Sequence, residues 1–263
     1  MAKKYVLERY LSRLLAGDRA GCRAIIEETL KSGVPANTVY MDIIWPIMVE
    51  VDSLYQNDQI DSAQEAFATR INRTIVDQLQ NKLPRKAGTT KKIVVASTAA
   101  EQGELGAQMI TDLFESEGWD ARFLGSSVNN DDILSFVHSW RPDILLLYGV
   151  TAKEAPAVRS LVDKLKTVNA CPHMKVMLSG GIFDRAAGLW EEIGADMHAS
   201  TAAEAVRLAT VQETELPKPK RTIKRRRKAA EAIETGEPVE IVEVEAVETI
   251  ETVDEPQLAG AFS

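Results

Sequence analysis

The residues best placed to do chemistry lie in three glycine-bearing loops. Glu101-Gln102-Gly103-Glu104-Leu105-Gly106 follows an apolar run, Ile93 to Ala96, and opens into a helical pattern. A helix start offers free backbone amides, which suit oxygen-rich ligands, and Gly103 and Gly106 let the backbone come close to whatever is held. Tyr148-Gly149-Val150 ends the run ILLLYG, and Gly180-Gly181 ends KVMLSG. Taken singly, such glycines fit ordinary strand-to-helix loops equally well.

Familiar catalytic arrangements do not accompany these loops. The three histidines, His138, His173 and His198, are scattered, and none falls in the loops after the first, third or fourth expected strand. Each reads as a surface or satisfied core residue; His198 is the nearest to a ligand role, because the fifth strand ends on the ligand side. Asp131-Asp132 and Glu191-Glu192 lie in or beside helices, where neighbouring side chains point to different faces, so they read as charged surface. Cys22 and Cys171 are far apart and read as buried thiols rather than a disulfide or metal pair. No C-x-x-C or H-E-x-x-H spacing occurs.

The elements that must position the loops follow from periodicity. Residues 1–83 read as a four-helix bundle: YVLERYLSRLLAG, a second helix capped by Asp18, a long helix containing Pro46, and DSAQEAFATRINRTIVDQLQNKL capped by Asp61 or Ser62. Pro46 must kink its helix or mark a first turn. PRKAGTT, residues 84–90, reads as a linker. From 91 to 211 the β-rich runs KIVVAS, ARFLG, ILLLYG, KVMLSG and ADMHA alternate with helices near 105–117, 130–140, 155–168, 185–193 and 201–211. That alternation predicts a five-stranded parallel, doubly wound, flavodoxin-like sheet, with ligands bound at the carboxyl ends of its strands.

Helical bundle, α/β module and loop order together resemble the cobalamin-binding unit of methionine synthases, corrinoid methyltransfer proteins and B12-dependent light-sensing regulators. The resemblance covers about residues 1 to 211. That family's signature is Asp-x-His-x-x-Gly, then Ser-x-Leu, then Gly-Gly. With its first glycine on Gly106, the second element falls on Tyr148-Gly149-Val150 and the third close to Gly180-Gly181. The family's Asp and cobalt-ligating His then correspond to Glu101 and Gly103, and glycine cannot ligate a metal. The Ser associated in the family with the nucleotide tail becomes Tyr148, large enough to fill part of the tail's channel. Light-sensing members place a Trp and a Glu-His pair over the upper corrin face, and these correspond to Tyr55, Glu65 and Ala66.

The resemblance implies a cobalamin site without a protein histidine, the lower cobalt position being taken by water, the ligand's own base or nothing. Haem or another tetrapyrrole in place of cobalamin, and a ligand-free interaction scaffold with no cofactor, are the other two readings. A methyltransferase or mutase role is disfavoured, because Gly103 removes the imidazole that manages cobalt in such cycles. The expectation is a non-enzymatic sensory or regulatory protein acting through a partner, with transcription control as one outlet.

Residues 212–263 read as a disordered charged tail. Positions 218–228 carry eight Lys or Arg, whereas 229–263 carry ten Asp or Glu and neither Lys nor Arg. Lys224, Arg225, Arg226, Arg227 and Lys228 form the densest run, a candidate contact for a regulatory protein partner or for nucleic acid through phosphate charge. The chain has neither a membrane-length apolar run nor a signal-peptide pattern at its start, so a cytoplasmic location is expected. Oligomeric state is not legible.

Overall fold

Helical spacing of apolar residues builds the N-terminal part. The computed structural model describes residues 2–98 and 101–215. Helix α1 (Ala2–Leu15) buries Tyr10 and Leu14, and α2 (Arg19–Lys31) buries Cys22, Ile25 and Ile26. Asp18 caps α2 by accepting from the Gly21 amide at 2.8 Å. Helix α5 (Ser62–Gln80) starts with a reciprocal cap, Asp61 accepting from the Gln64 amide while the Gln64 side chain accepts from Asp61 N–H. It buries Ala68, Ile71, Ile75, Val76 and Leu79, and Asn72 accepts from the Tyr10 hydroxyl at 2.8 Å.

The long helix around Pro46 departs from regular α geometry. Short α3 (Ala36–Val39) runs through a π-helical turn, Tyr40–Ile44, into α4 (Trp45–Gln56). Trp45 N–H bonds Tyr40 C=O, five residues back rather than four. Pro46 has no N–H, and its ring would strike the carbonyl four residues earlier, so a widened turn just upstream relieves the conflict without breaking the helix. The turn also drives Tyr40 fully into the core.

The stretch 84–90 is irregular but tethered. Lys86 N–H bonds Ser116 C=O at 2.8 Å, and Thr89 N–H bonds Gly118 C=O at 2.7 Å. Beyond it lie β1 (Lys92–Ser97), a 3-10 turn (Glu101–Glu104), α6 (Leu105–Ser116), β2 (Asp120–Gly125), α7 (Asn130–Trp140) and β3 (Ile144–Tyr148). Next come α8 (Ala155–Val168), β4 (Lys175–Ser179), α9 (Gly181–Arg185), α10 (Leu189–Ile193), β5 (Met197–Ala199) and α11 (Ala202–Glu215). All strand pairs are parallel in the order β2-β1-β3-β4-β5. This is the flavodoxin-like order that the alternation predicts. The single helix expected near 185–193 is instead two short ones, separated at Gly188, whose φ of 81° ends any right-handed run.

Strand alternation divides the core. Val94, Ala96, Leu145, Leu147, Val176 and Leu178 face α7, α8 and α9. Ile93, Val95, Ile144, Leu146, Tyr148, Met177 and Met197 face the other way, into a core that runs unbroken through α6 and α11 to the buried residues of α1–α5. At the heart of that seam the Tyr40 hydroxyl lies 2.9 Å from Asp112 Oδ2 on α6, and Gln80 Nε2 donates to Asp112 Oδ1 at 2.9 Å. Among the described residues no helix is long and apolar enough to cross a membrane.

Candidate functional site

In this strand order the chain reverses direction across the sheet between β1 and β3, and the carboxyl ends of those two strands define the crevice. Ser97 and Tyr148 are parallel partners there and point to the same side, under the first turn of α6. Tyr148 is buried, at 5% exposure. Its ring lies so close to Gly106 that a Cβ on that glycine would collide with the phenol oxygen and Cζ. Gly106 is therefore required by Tyr148, and the two close the crevice together. Ser97 Oγ is buried beside them without a hydrogen-bond partner. Burial first, then the charges of Asp52, Asp184 and Glu154, push the Tyr148 phenol up, with Arg185 acting the other way; the group is a neutral hydroxyl.

The loop that leads to Gly106 is held from the helical side. Glu104, at 8% exposure, accepts from Arg73 Nη1 of α5 at 3.1 Å. Gly103 is half-buried in the 3-10 turn just before it. Glu101 begins that turn.

Opposite, Arg185 of α9 joins three elements. Its Nη1 pairs with Asp52 Oδ2 of α4 at 3.0 Å, and its Nη2 donates to the Val150 carbonyl. A Cβ on Gly181 would come within 2.6 Å of Nη1, so that glycine makes room for the guanidinium. Val150 N–H and Thr151 N–H both donate to Glu154 Oε2, at 2.7 and 3.0 Å. Asp52 and Tyr55 lie three apart on α4 and share a face; Tyr55 is 40% exposed. Glu65 and Ala66 are half-buried on α5, and the Glu65 carboxyl is pushed up by burial first and by the Asp52 charge second.

Two of the glycines answer to packing. Gly180 has φ of 105°, and a Cβ there would collide with the Gly149 carbonyl. Gly149 N–H in turn bonds Ser179 C=O at 3.0 Å, so the loops after β3 and β4 pack backbone to backbone. His198 pairs with Leu178 and faces the side of the sheet opposite Tyr148, stacked on Trp190 at 6.2 Å. Its Nε2 lies 3.1 Å from Asp184 Oδ1 without the alignment of a hydrogen bond. His138 and His173 are exposed, and among the described residues no group of three or more His, Cys, Asp or Glu side chains is placed to hold a metal.

The structure thus gathers Gly106, Tyr148, Gly149, Val150, Gly180 and Gly181 along one edge of the sheet, with Gly103 in the loop feeding it. Tyr55 and Glu65 stand on the helices joined to that edge by Arg185 and Arg73. Lys224, Arg225, Arg226, Arg227 and Lys228 lie outside the described residues. Sequence reasoning missed Arg185, Asp52, Arg73, Glu104 and Glu154. Only Glu154 carried a signal, the capping pattern Thr151-Ala152-Lys153-Glu154.

Two family models, each described as B12 binding domain, match residues 6–80 and 91–232. Monomethylamine corrinoid protein 2 of Methanosarcina acetivorans is 21% identical over 215 residues, 80% of this chain and 98% of that protein. Monomethylamine corrinoid protein 1 of Methanosarcina mazei is 23% identical over 217 residues, with the same two coverages. The solved structure of the Methanosarcina barkeri monomethylamine corrinoid protein superposes with a TM-score of 0.68 at 21% identity, covering 78% of this chain and 97% of that one.

Proposed function

The chain belongs to the B12 binding domain family, and from that membership we propose that it is a non-enzymatic corrinoid-binding module that acts through a partner protein. Its role in this reading is sensory or regulatory, with transcription control as one outlet. The relatives named as corrinoid proteins support the ligand class. The observation that carries the rest is Gly103: the loop position that the family resemblance assigns to the cobalt-ligating imidazole has no side chain, and no histidine of the described part reaches it.

The residues fit a flat macrocycle better than they fit its appendages. Backbone along 103–106 and 149–150, with Tyr55 and Glu65 on the helical side, offers a surface to lie against, and burying a large apolar face contributes roughly 25 cal/mol per Å² whether or not a metal bond forms. Below that surface Tyr148 fills the crevice, so a ligand arm inserted beside β1 does not fit. The charged stretch from 218 onward supplies the partner contact in this reading.

The test is an absorption spectrum. The purified full chain is incubated in the dark with hydroxocobalamin, methylcobalamin or adenosylcobalamin, and separately with haem, and then passed through a sizing column. A corrin spectrum that travels with the protein is expected. Protein that emerges colourless, or that carries only a haem Soret band, overturns the assignment.

A further inference from the structure

We infer that a corrinoid on this site keeps its own nucleotide base on the cobalt, or lacks a nucleotide altogether, because Tyr148 occupies the crevice that a released arm would enter. The inference rests on the corrinoid reading above and narrows it to a ligand state.

Cobalamin is a flat macrocycle with a nucleotide arm on one face, ending in a base that either binds cobalt or swings away. Were the macrocycle to lie across the carboxyl ends of the strands, a released arm would need a gap at the switch point between β1 and β3. Here that gap is taken. Tyr148 is buried, and its hydroxyl leaves no room even for a methyl group on Gly106. Moving the ring aside would forfeit one of the largest apolar burials a side chain can make.

Charge acts in the same direction. The arm carries a phosphodiester anion, whereas Asp52, Asp184 and Glu154 all lie near enough to bear on the Tyr148 hydroxyl. The cation in that group, Arg185, is already engaged by Asp52 and the Val150 carbonyl. Coordination points the same way, since a base that left the cobalt would find no imidazole at Gly103 to replace it. Ser97 Oγ, buried beside Tyr148 without a partner, is the polar group an arm would meet once the ring was gone.

The experiment compares cobalamin with cobinamide, which has the same macrocycle and no nucleotide, on the full chain and on Tyr148→Ala. For the native chain the two Kd values should agree within about threefold. Reduced to cobalt(II), bound cobalamin should keep the nitrogen splitting of its own base in the electron paramagnetic resonance spectrum. Tyr148→Ala should shift preference toward cobalamin by about tenfold or more and lose that splitting. If native protein binds cobalamin tenfold more tightly than cobinamide and the splitting vanishes, the arm enters and the inference falls while the corrinoid reading stands. If native protein binds neither compound, both fall. The native measurements decide these outcomes even should Tyr148→Ala fold poorly.

Discussion

Replacing Asp112 by asparagine should make the protein more stable at neutral and alkaline pH. Asp112 is 4% exposed at the seam between α6 and the N-terminal helices, between Gln80 and Tyr40. The Tyr40 hydroxyl is also 3.0 Å from the Val76 carbonyl, an obligate acceptor. One phenolic hydrogen cannot serve both. The set is complete only when Asp112 is protonated, so that Asp112 donates to Tyr40 and Tyr40 donates to Val76. Burial pushes the carboxyl up from 3.8 to about 6, against the pull of the Tyr40 and Gln80 hydrogen bonds, with Glu115 and Asp77 adding to the rise.

A carboxyl whose value is higher in the folded state favours folding while protonated. Its contribution is complete below the unfolded value and is lost as pH rises through the folded one. At about 1.4 kcal/mol for each pH unit between the two values, ionisation costs at most about 3 kcal/mol. Asparagine mimics the protonated acid, its amide donating to Tyr40 and its carbonyl accepting from Gln80. Asp112→Asn should therefore gain up to about 3 kcal/mol at pH 8, or about 6 °C or more in Tm, and almost nothing near pH 4. The assay is denaturant unfolding of both proteins across that range, where groups common to both cancel. A difference that stays constant with pH, or a variant less stable at pH 8, would refute the reasoning.

Two further substitutions probe the site's framework. Gly180→Ala combines a φ of 105° with a collision on the Gly149 carbonyl, whereas Gly33→Ala meets φ of 92° with nothing near. By chemical denaturation the first should cost about 1–3 kcal/mol more than the second, and equal losses would remove the packing argument. Arg185→Ala severs the link from α9 to α4, but the pair is 47% and 30% exposed, so stability should fall by less than about 1 kcal/mol. The same variant should speed amide hydrogen exchange at the start of α9 and around Val150; unchanged exchange would mean that the bridge holds nothing in place.

How far the sequence discloses this molecule depends on whether the cause is local. The strand ILLLY is apolar on every residue because β3 is covered on both faces, and that pattern is visible without coordinates. The π-helical turn is not visible, since Pro46 announces a disturbance but not how the backbone will absorb it. Glycines in the loops could be found by reading along the chain; their reasons could not. Gly106 leaves room for the buried Tyr148 ring, Gly181 lies against the Arg185 guanidinium, and Arg185 finds Asp52 across 133 positions. Pairings of that kind depend on the completed fold, whereas Thr151 and Glu154 meet within one turn and leave a readable motif.

The unbroken core described above also sets how this protein can be divided. Tyr40 and Gln80 reach Asp112 from one side of residues 84–90 to the other, so a cut there would bare buried apolar surface on each half and strand a carboxyl in its wall. Neither half is then a transplantable part. The chain should melt in a single transition reported alike by its N-terminal helices and its sheet, and a graft that exchanged only the helical half would have to carry the complementary face of α6 and α11 with it.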